Sequence, residues 1–354
     1  MSDESKADVR QYVRNAYEQL GLPRLIIIIF LLSLFAVAVI MRMDLAILVK
    51  DSITRIGMNG ILVLAMLPTL ACGVGLNFGL PVGVIAGLVG AVTSMNWGLK
   101  GFAGFAAAMA IAIPLAVIAG YLYAMLLERV QGQEMMVGTY VGFSLVSGMC
   151  MFWLLAPYRN PAMIFALGGK GLRTTITLDR TFGKVLNDFL GFSILDVYIP
   201  TGLLLFMGVF YVAIALFFKS KAGLAMRTVG SNPMYARSSG INVQGMRTLG
   251  VILSTVLAAI GILVYSQSYG FVQLYTAPLT AAFPAVASVL IGGASLRKAT
   301  IGHALLGTVL FHTLLTIALP VTQTVLQGAD ISEIARMIMS NGMIIYALTR
   351  AERR

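Results

Sequence analysis

The sequence predicts an all-α integral membrane protein of about ten transmembrane helices, arranged as two related halves with broken helices. Three observations carry this reading. The chain of 354 residues is 58% hydrophobic and 11% charged, with a mean hydropathy of +0.89, whereas a soluble domain carries about 25% charged residues. Apolar runs of bilayer-spanning length, about 20 residues, recur from Leu25 onward. Two stretches interrupt the apolar pattern at matching places in the halves Gly57–Ala156 and Leu249–Thr349: Gly73–Gly79 (GVGLNFG) and Gln267–Pro278 (QSYGFVQLYTAP). The first span of each half runs in the opposite sense, so the repeat is expected to be inverted. Paired Gly- and Pro-interrupted segments point to a permeation site, since irregular backbone at membrane depth survives only where it lines a cavity or is buried in protein. The other reading makes both breaks ordinary turns between hairpin helices at the interface.

The elements follow in order. Residues 1–22 are polar; Val9, Tyr12, Val13, Ala16 and Leu20 recur at roughly helical spacing, as in an amphipathic segment on the inner membrane surface. A solvated tail is the alternative. No small-residue cleavage site follows the first apolar run, so a removable signal peptide is not expected. Within the transmembrane domain, 23–354, spans are expected at about Leu25–Arg42, Gly57–Cys72, Leu80–Asn96, Phe102–Leu127 and Glu134–Ala156. After the polar insertion Pro157–Pro200 come Thr201–Phe218, Leu249–Ser268, Ala277–Gly293, Ile301–Leu319 and Ile331–Thr349. Ten spans put both termini on one side. With the N-terminus inside, 15 of the 25 Lys and Arg fall inside and five of the other ten lie in the long insertion, where the positive-inside bias weakens. This places Arg227 and Arg354 in the cytoplasm, and Lys170 outside with the whole 157–200 insertion.

Several chemistries are missing. The net charge of +11 comes without an aromatic–basic face outside the membrane; cationic flanks are what membrane orientation requires, and no nucleic acid is expected as a partner. Cys72 and Cys150 fall inside apolar spans, where they read as small hydrophobes. No Gly-x-x-x-x-Gly-Lys-Ser/Thr run occurs, and Gly168-Gly169-Lys170 lacks both the upstream Gly and the following hydroxyl. His303 and His312, nine residues apart, face opposite ways on a helix that turns about 100° per residue. They are no metal pair, and are expected to be satisfied polar groups in helix contacts. Ionisable residues are expected only at span ends: Arg42, Glu128, Glu134, Glu333 and Arg336, the last two spaced to pair on one helix face. Ion- and proton-coupled carriers keep charges at membrane depth; a path without them suits a neutral or weakly charged solute moved by energy supplied from outside the bilayer. A membrane enzyme would need acidic pairs or a His–Asp cluster, and none is present, so no catalytic residue is expected. A channel or secondary carrier for a neutral solute remains the alternative class.

The loop 219–247 (KSKAGLAMRTVGSNPMYARSSGINVQGMR) holds five Lys or Arg and no Asp or Glu. A short helix in it has both ends marked: Asn232 can cap, Pro233 fits the first position, and Gly240 can close it in a left-handed conformation. Met234–Ser239 is less than two turns, too short to hold alone in water. It either packs against its own membrane domain or docks a cytoplasmic partner.

This loop resembles the cytoplasmic loop of permease subunits of bacterial ABC importers of the ribose, galactose and nucleoside class. There the pattern is Gly-x-Asn-x-x-x-Ala-x-x-x-Gly-Ile-x-Val; here it is Gly230, Asn232, Ala236, Gly240, Ile241 and Val243, with Pro233 and Arg237 in keeping. Asn59–Gly90 and Ala285–Ser295 are similar to the family as well, and the resemblance covers most of the chain from about Leu25. The family's sugar permeases carry an Asp at the first break where this chain has Asn77, which leans toward the nucleoside permeases. The resemblance implies two permease chains (the second the same or paralogous), an ABC ATPase subunit that carries ATP and Mg²⁺, an extracytoplasmic solute-binding protein and a bacterial inner membrane; this chain itself needs no cofactor. It implies ATPase coupling through Gly230, Asn232, Pro233, Ala236, Arg237, Ser239, Gly240 and Ile241. Expected path residues are Asn77, Phe78, Tyr265, Gln267, Tyr269 and Gln273, whose aromatic faces and amides suit sugar rings or nucleobases. Arg173, Arg180 and Asp179 are expected to meet the binding protein, with Asp44–Arg55 as the other candidate surface.

Overall fold

The computed structural model describes residues 22–130, 132–158, 160–165, 171–194, 197–295 and 298–326, with Met337, Asn341 and Gly342 besides. The expectations for the segment up to Gly21, for the span Ile331–Thr349 apart from those three residues, for the Glu333–Arg336 pair and for Lys170 and Arg354 lie outside the described residues.

The described chain is predominantly helical. α1 (Leu22–Ile40) leads to α2 (Leu45–Leu64), which is continued after one residue by α3 (Met66–Ala71). A break follows, then α4 (Pro81–Asn96), α5 (Gly101–Arg129) and α6 (Glu134–Leu155). The insertion holds β1 (Thr175–Thr177), the one-turn α7 (Val185–Asp188), β2 (Phe192–Ile194) and β3 (Val197–Ile199). α8 (Thr201–Lys219) is followed by α9 (Lys221–Ser231), α10 (Pro233–Ser238) and α11 (Val243–Tyr269). β4 (Phe271–Gln273), α12 (Ala277–Thr280), α13 (Ala282–Ile291) and α14 (Ile301–Leu326) complete the order. Among the described residues six helical stretches are long and apolar enough to cross a membrane, and three shorter apolar helices accompany them: Arg24–Ile40, Pro81–Asn96 and Ala277–Ile291. Each falls on one of the first nine expected spans.

Burial sorts the long helices. The apolar windows of α2–α3, α11 and α14 are 78%, 67% and 67% buried, against 28%, 17% and 33% for α5, α6 and α8. The first three therefore form the centre, and the second three turn apolar side chains such as Leu122, Leu155 and Val209 outward. α11 packs against α2, α4 and α5, and α14 packs against α2, α13 and α1.

Two ends of the bundle can be told apart. One carries α9 and α10; there Arg24 lies against Gly293, and Glu128 at the end of α5 meets Gln244 at the start of α11. The other carries the insertion, where Gly101 N–H donates to Thr181 O at 2.8 Å and Lys50 lies over the Tyr198 ring. α2 runs from the insertion end to the loop end and α11 runs back.

Two expectations need correction. The second helix starts at Leu45, about three turns before the expected Gly57, because Asp44 caps it: its Oδ1 accepts from Ala46 N and Ile47 N at 2.9 and 3.2 Å. Lys50, Asp51 and Arg55 are therefore helical, and charge is not confined to the expected span ends as the sequence suggested. In the insertion, residues 174–182 hold one short strand. Only Thr175–Thr177 is extended, and its antiparallel partner is β4, with buried Ile176 opposite buried Val272; the chain turns at once after it, Thr181 N and Gly183 N both donating to Leu178 O. Finally, neither histidine is the satisfied helix-contact group expected: His303 Nδ1 is buried without a hydrogen-bond partner, and so is a ring nitrogen of His312. His312 is 6% exposed, and the unpartnered atom is its Nε2.

Candidate functional site

The loop end is built around α10. Asn232 Oδ1 accepts from Tyr235 N at 3.0 Å and Pro233 occupies the first turn, so both expected start signals are used. Ser239 is the C-cap, its N–H donating to Tyr235 O. Gly240 takes φ 77°, and the turn it makes lets Gly240 N reach Arg237 O at 3.0 Å and Ile241 N reach Ala236 O at 2.9 Å. Ala236 is fully buried in a small cluster with Val229 and Val243, against which Ile241 packs. The motif residues thus shape the helix and seat it. What α10 turns outward is Met234, 82% exposed, and Tyr235, 62% exposed. Sequence reasoning passed over both, although they are the only large apolar side chains between Asn232 and Gly240.

Behind α10 lies a cavity of about 140 Å³, lined by Arg237 together with Glu128, Glu134, Gln244, Arg247 and Thr248. Gln244 Nε2 and Thr248 Oγ1 both donate to the Glu128 carboxylate, the latter at 2.8 Å, and Arg247 Nη1 stands 4.0 Å from Glu134 Oε1. Arg237 therefore borders a pocket of its own membrane domain that holds two carboxylates. Gly230, in the last turn of α9, meets the first break: a side chain there would sit 2.2 Å from Ala71 O and 3.1 Å from Gly73 N. Only a hydrogen fits between the loop and the break.

The break itself turns through left-handed Gly73 and Gly75 and brings Asn77 inside. Asn77 is 3% exposed; its Nδ2 donates to Ser254 Oγ at 2.8 Å, and its Oδ1 accepts from Tyr123 Oη at 3.2 Å. One amide joins the break to α11 and α5. Phe78 packs on Phe283 with ring centroids 5.7 Å apart.

A second cavity, of about 290 Å³, lies between α2, α11, α12, α13 and α14. Arg55, Asn59, Tyr265, Thr280 and His312 give it polar walls, and Leu62, Ile262, Pro284 and Leu315 are among its apolar ones. Tyr265 is the one expected path residue that lines it. Tyr269, more exposed, stacks on Tyr265 at 5.7 Å and meets Phe271 edge-on, so an aromatic row runs from the insertion end toward the cavity. Gln267 and Gln273 face elsewhere. Gln267 is fully buried, accepts from Leu186 N and donates to Asn187 Oδ1, both at 3.2 Å; it fastens α7 to α11. Gln273 pairs with Thr175 in the β1–β4 ladder. Arg55, Asn59 and His312 were missed. The available signal was Asp44, a helix-start residue that would have carried the second span back over Arg55.

In the insertion, Arg173 Nε donates to Ile164 O at 2.7 Å and is half-buried, so it braces the fold there. Asp179 and Arg180 are exposed, with Asp179 accepting from Thr177 Oγ1 at 2.9 Å. Among the described residues no group of His, Cys, Asp or Glu could hold a metal ion.

Comparison with known proteins adds to this geometry. The family described as branched-chain amino acid transport system / permease component matches residues 27–348. A nucleoside ABC transporter permease protein of Lactococcus lactis is 47% identical over 51 residues, 14% of this chain and 16% of the relative. An autoinducer 2 import system permease protein of Yersinia enterocolitica is 29% identical over 188 residues, 51% of this chain and 49% of the relative. A guanosine ABC transporter permease protein of Bacillus subtilis is 31% identical over 97 residues, 27% and 30% respectively. The chain thus spans about half the length of these curated relatives at most. No solved structure matches it.

Proposed function

Because the chain belongs to the family of branched-chain amino acid transport system permease components, we propose that it is the transmembrane subunit of an ATP-driven importer for a small hydrophilic solute, a sugar or a nucleoside. It lies in the bacterial inner membrane with both termini and the 219–247 loop cytoplasmic. It crosses ten times, the tenth through Ile331–Thr349, in two inverted halves. The relatives that carry nucleosides or autoinducer 2 by name support the solute class. The observation that carries the reading is α10. It is a short helix seated by Ala236, with Met234 and Tyr235 bare to solvent, and it abuts, through α9, the glycine break that follows α3.

In this reading an ABC ATPase subunit, holding ATP and Mg²⁺, docks on Met234 and Tyr235. Gly230 passes its movement to the break around Asn77. A second permease chain, the same or a paralogue, covers part of the outward apolar faces, and lipid covers the rest. An extracytoplasmic binding protein delivers the solute at the insertion, meeting Asp179 and Arg180. The permease performs no chemistry; it alternates the access of its interior. A channel would have no need of a capped helix presenting a tyrosine to the cytoplasm.

The test is reconstitution with the partner ATPase and binding protein. Tyr235→Glu and Arg237→Glu should leave detergent-solubilised yield intact, while the first removes the ATPase from the purified complex and the second makes ATP hydrolysis independent of the binding protein. Normal solute uptake by both variants sinks the assignment.

A further inference from the structure

The 290 Å³ cavity is bordered by an exposed guanidinium and by a buried imidazole nitrogen without a partner. Arg55 lines it from α2 and makes no ion pair with any described carboxylate, Asp51 on the preceding turn included. His312 lines it from α14, nine-tenths buried, with Nε2 lacking any hydrogen-bond partner. Arg55 is exposed where it borders the cavity, and an arginine within the length of an apolar helix marks a solute or ion pathway. A buried imidazole nitrogen without a partner carries its desolvation penalty uncompensated. The open guanidinium and the unpartnered imidazole border one cavity, where a single ligand would meet both.

We infer that this cavity is the recognition site for a solute that carries an anionic oxygen group, a carboxylate or a phosphate, alongside a ring that lies on Tyr265. The inference rests on the permease reading and names the charge of what passes through it. The guanidinium presents paired N–H donors whose geometry matches carboxylate and phosphate oxygens. The imidazole Nε2, as the protonated tautomer, supplies one further donor. Asn59, whose Nδ2 is already committed to Arg55 O at 2.9 Å, borders the same wall. The Tyr265 and Tyr269 stack offers a flat aromatic face at the cavity's insertion side, and the volume suits a monosaccharide- or nucleoside-sized solute. An Arg alone on a lipid-exposed face would snorkel to the interface; this one borders a cavity that also holds a buried unpartnered histidine.

The experiment measures equilibrium binding to the purified full-length chain in lipid nanodiscs. The radiolabelled probes form two matched pairs, galacturonate against galactose and uridine 5′-monophosphate against uridine. Wild type should bind at least one anionic member at least tenfold more tightly than its neutral partner, and which pair does so separates carboxylate from phosphate. Arg55→Gln should abolish that preference and Arg55→Lys should keep part of it. His312→Phe should weaken the anionic probe several-fold without touching the neutral one. Equal binding of both members of each pair by wild type, or an unchanged preference in Arg55→Gln, overturns the inference. Binding to the lone chain needs no ATPase, so this result and the α10 test fail independently.

Discussion

Gly240 allows the loop to be perturbed without touching any contact. Its φ of 77° lies in the left-handed region, and a Cβ built there would meet nothing within 4 Å. A substitution therefore acts through backbone strain alone, with no collision to confuse the result. A non-glycine residue pays about 1–2 kcal/mol in that conformation, β-branched residues the most, and asparagine the least because its short side chain tolerates the region. The strain falls on a six-residue helix held by one side-chain cap and one buried alanine. A loss of about 1–2 kcal/mol reduces the docking-competent population some 5–30-fold. The expected order of ATPase retained on the tagged, purified chain is Gly, then Asn, then Ala, then Val. Backbone amide exchange of the segment 232–241 should accelerate in the reverse order, with solubilised yield unchanged. If Gly240→Val retains a full complement of ATPase, or Gly240→Asn behaves no better than valine, the left-handed cap plays no part in docking and the argument fails.

Three further outcomes follow from the structure. Single-cysteine labelling in a cysteine-free background should mark position 227 only from the cytoplasmic side and position 180 only from outside; labelling of 227 in intact cells reverses the topology. Gln267→Leu removes the acceptor of Leu186 N and the donor to Asn187 Oδ1, leaving buried polar groups unpaired at about 1–3 kcal/mol. Thermal unfolding should register it as a clear loss of stability, and an unchanged midpoint would show that the amide is dispensable. Arg180→Glu should weaken the stimulation of ATP hydrolysis by loaded binding protein and its salt dependence, as for an exposed rim charge; unaltered stimulation places the landing surface elsewhere.

The helices were legible because hydropathy is written locally: nine expected spans each meet an apolar helix, mostly within a few residues. The exception is instructive. Lys50, Asp51 and Arg55 lowered the apolar average enough to hide three turns of α2, while the single residue Asp44 announced the true start. α10 was legible for the same reason as the spans, since its caps are neighbours in sequence. Its outward face was not, because which side of a six-residue helix looks outward depends on Val229 and Val243, which seat Ala236. The large cavity was illegible altogether. Its walls come from residues as far apart as Arg55 and His312, and no local pattern unites them. Gln267 shows the converse: an amide in a broken segment looks like a solute ligand until its partners on α7, some eighty positions away in the chain, come into view.

The Asn77 amide, shared between Ser254 and Tyr123, bears on how the interior can move. Away from water, a broken hydrogen bond at this level finds no replacement, and each orphaned group costs several kcal/mol. Positions of α5 part-way along α11 would therefore carry that cost with nothing to offset it. The barrier acts like a detent in a ratchet: the segment rests in one seat or another and does not slide between them, so a modest push from the loop end yields either no displacement or the whole of it.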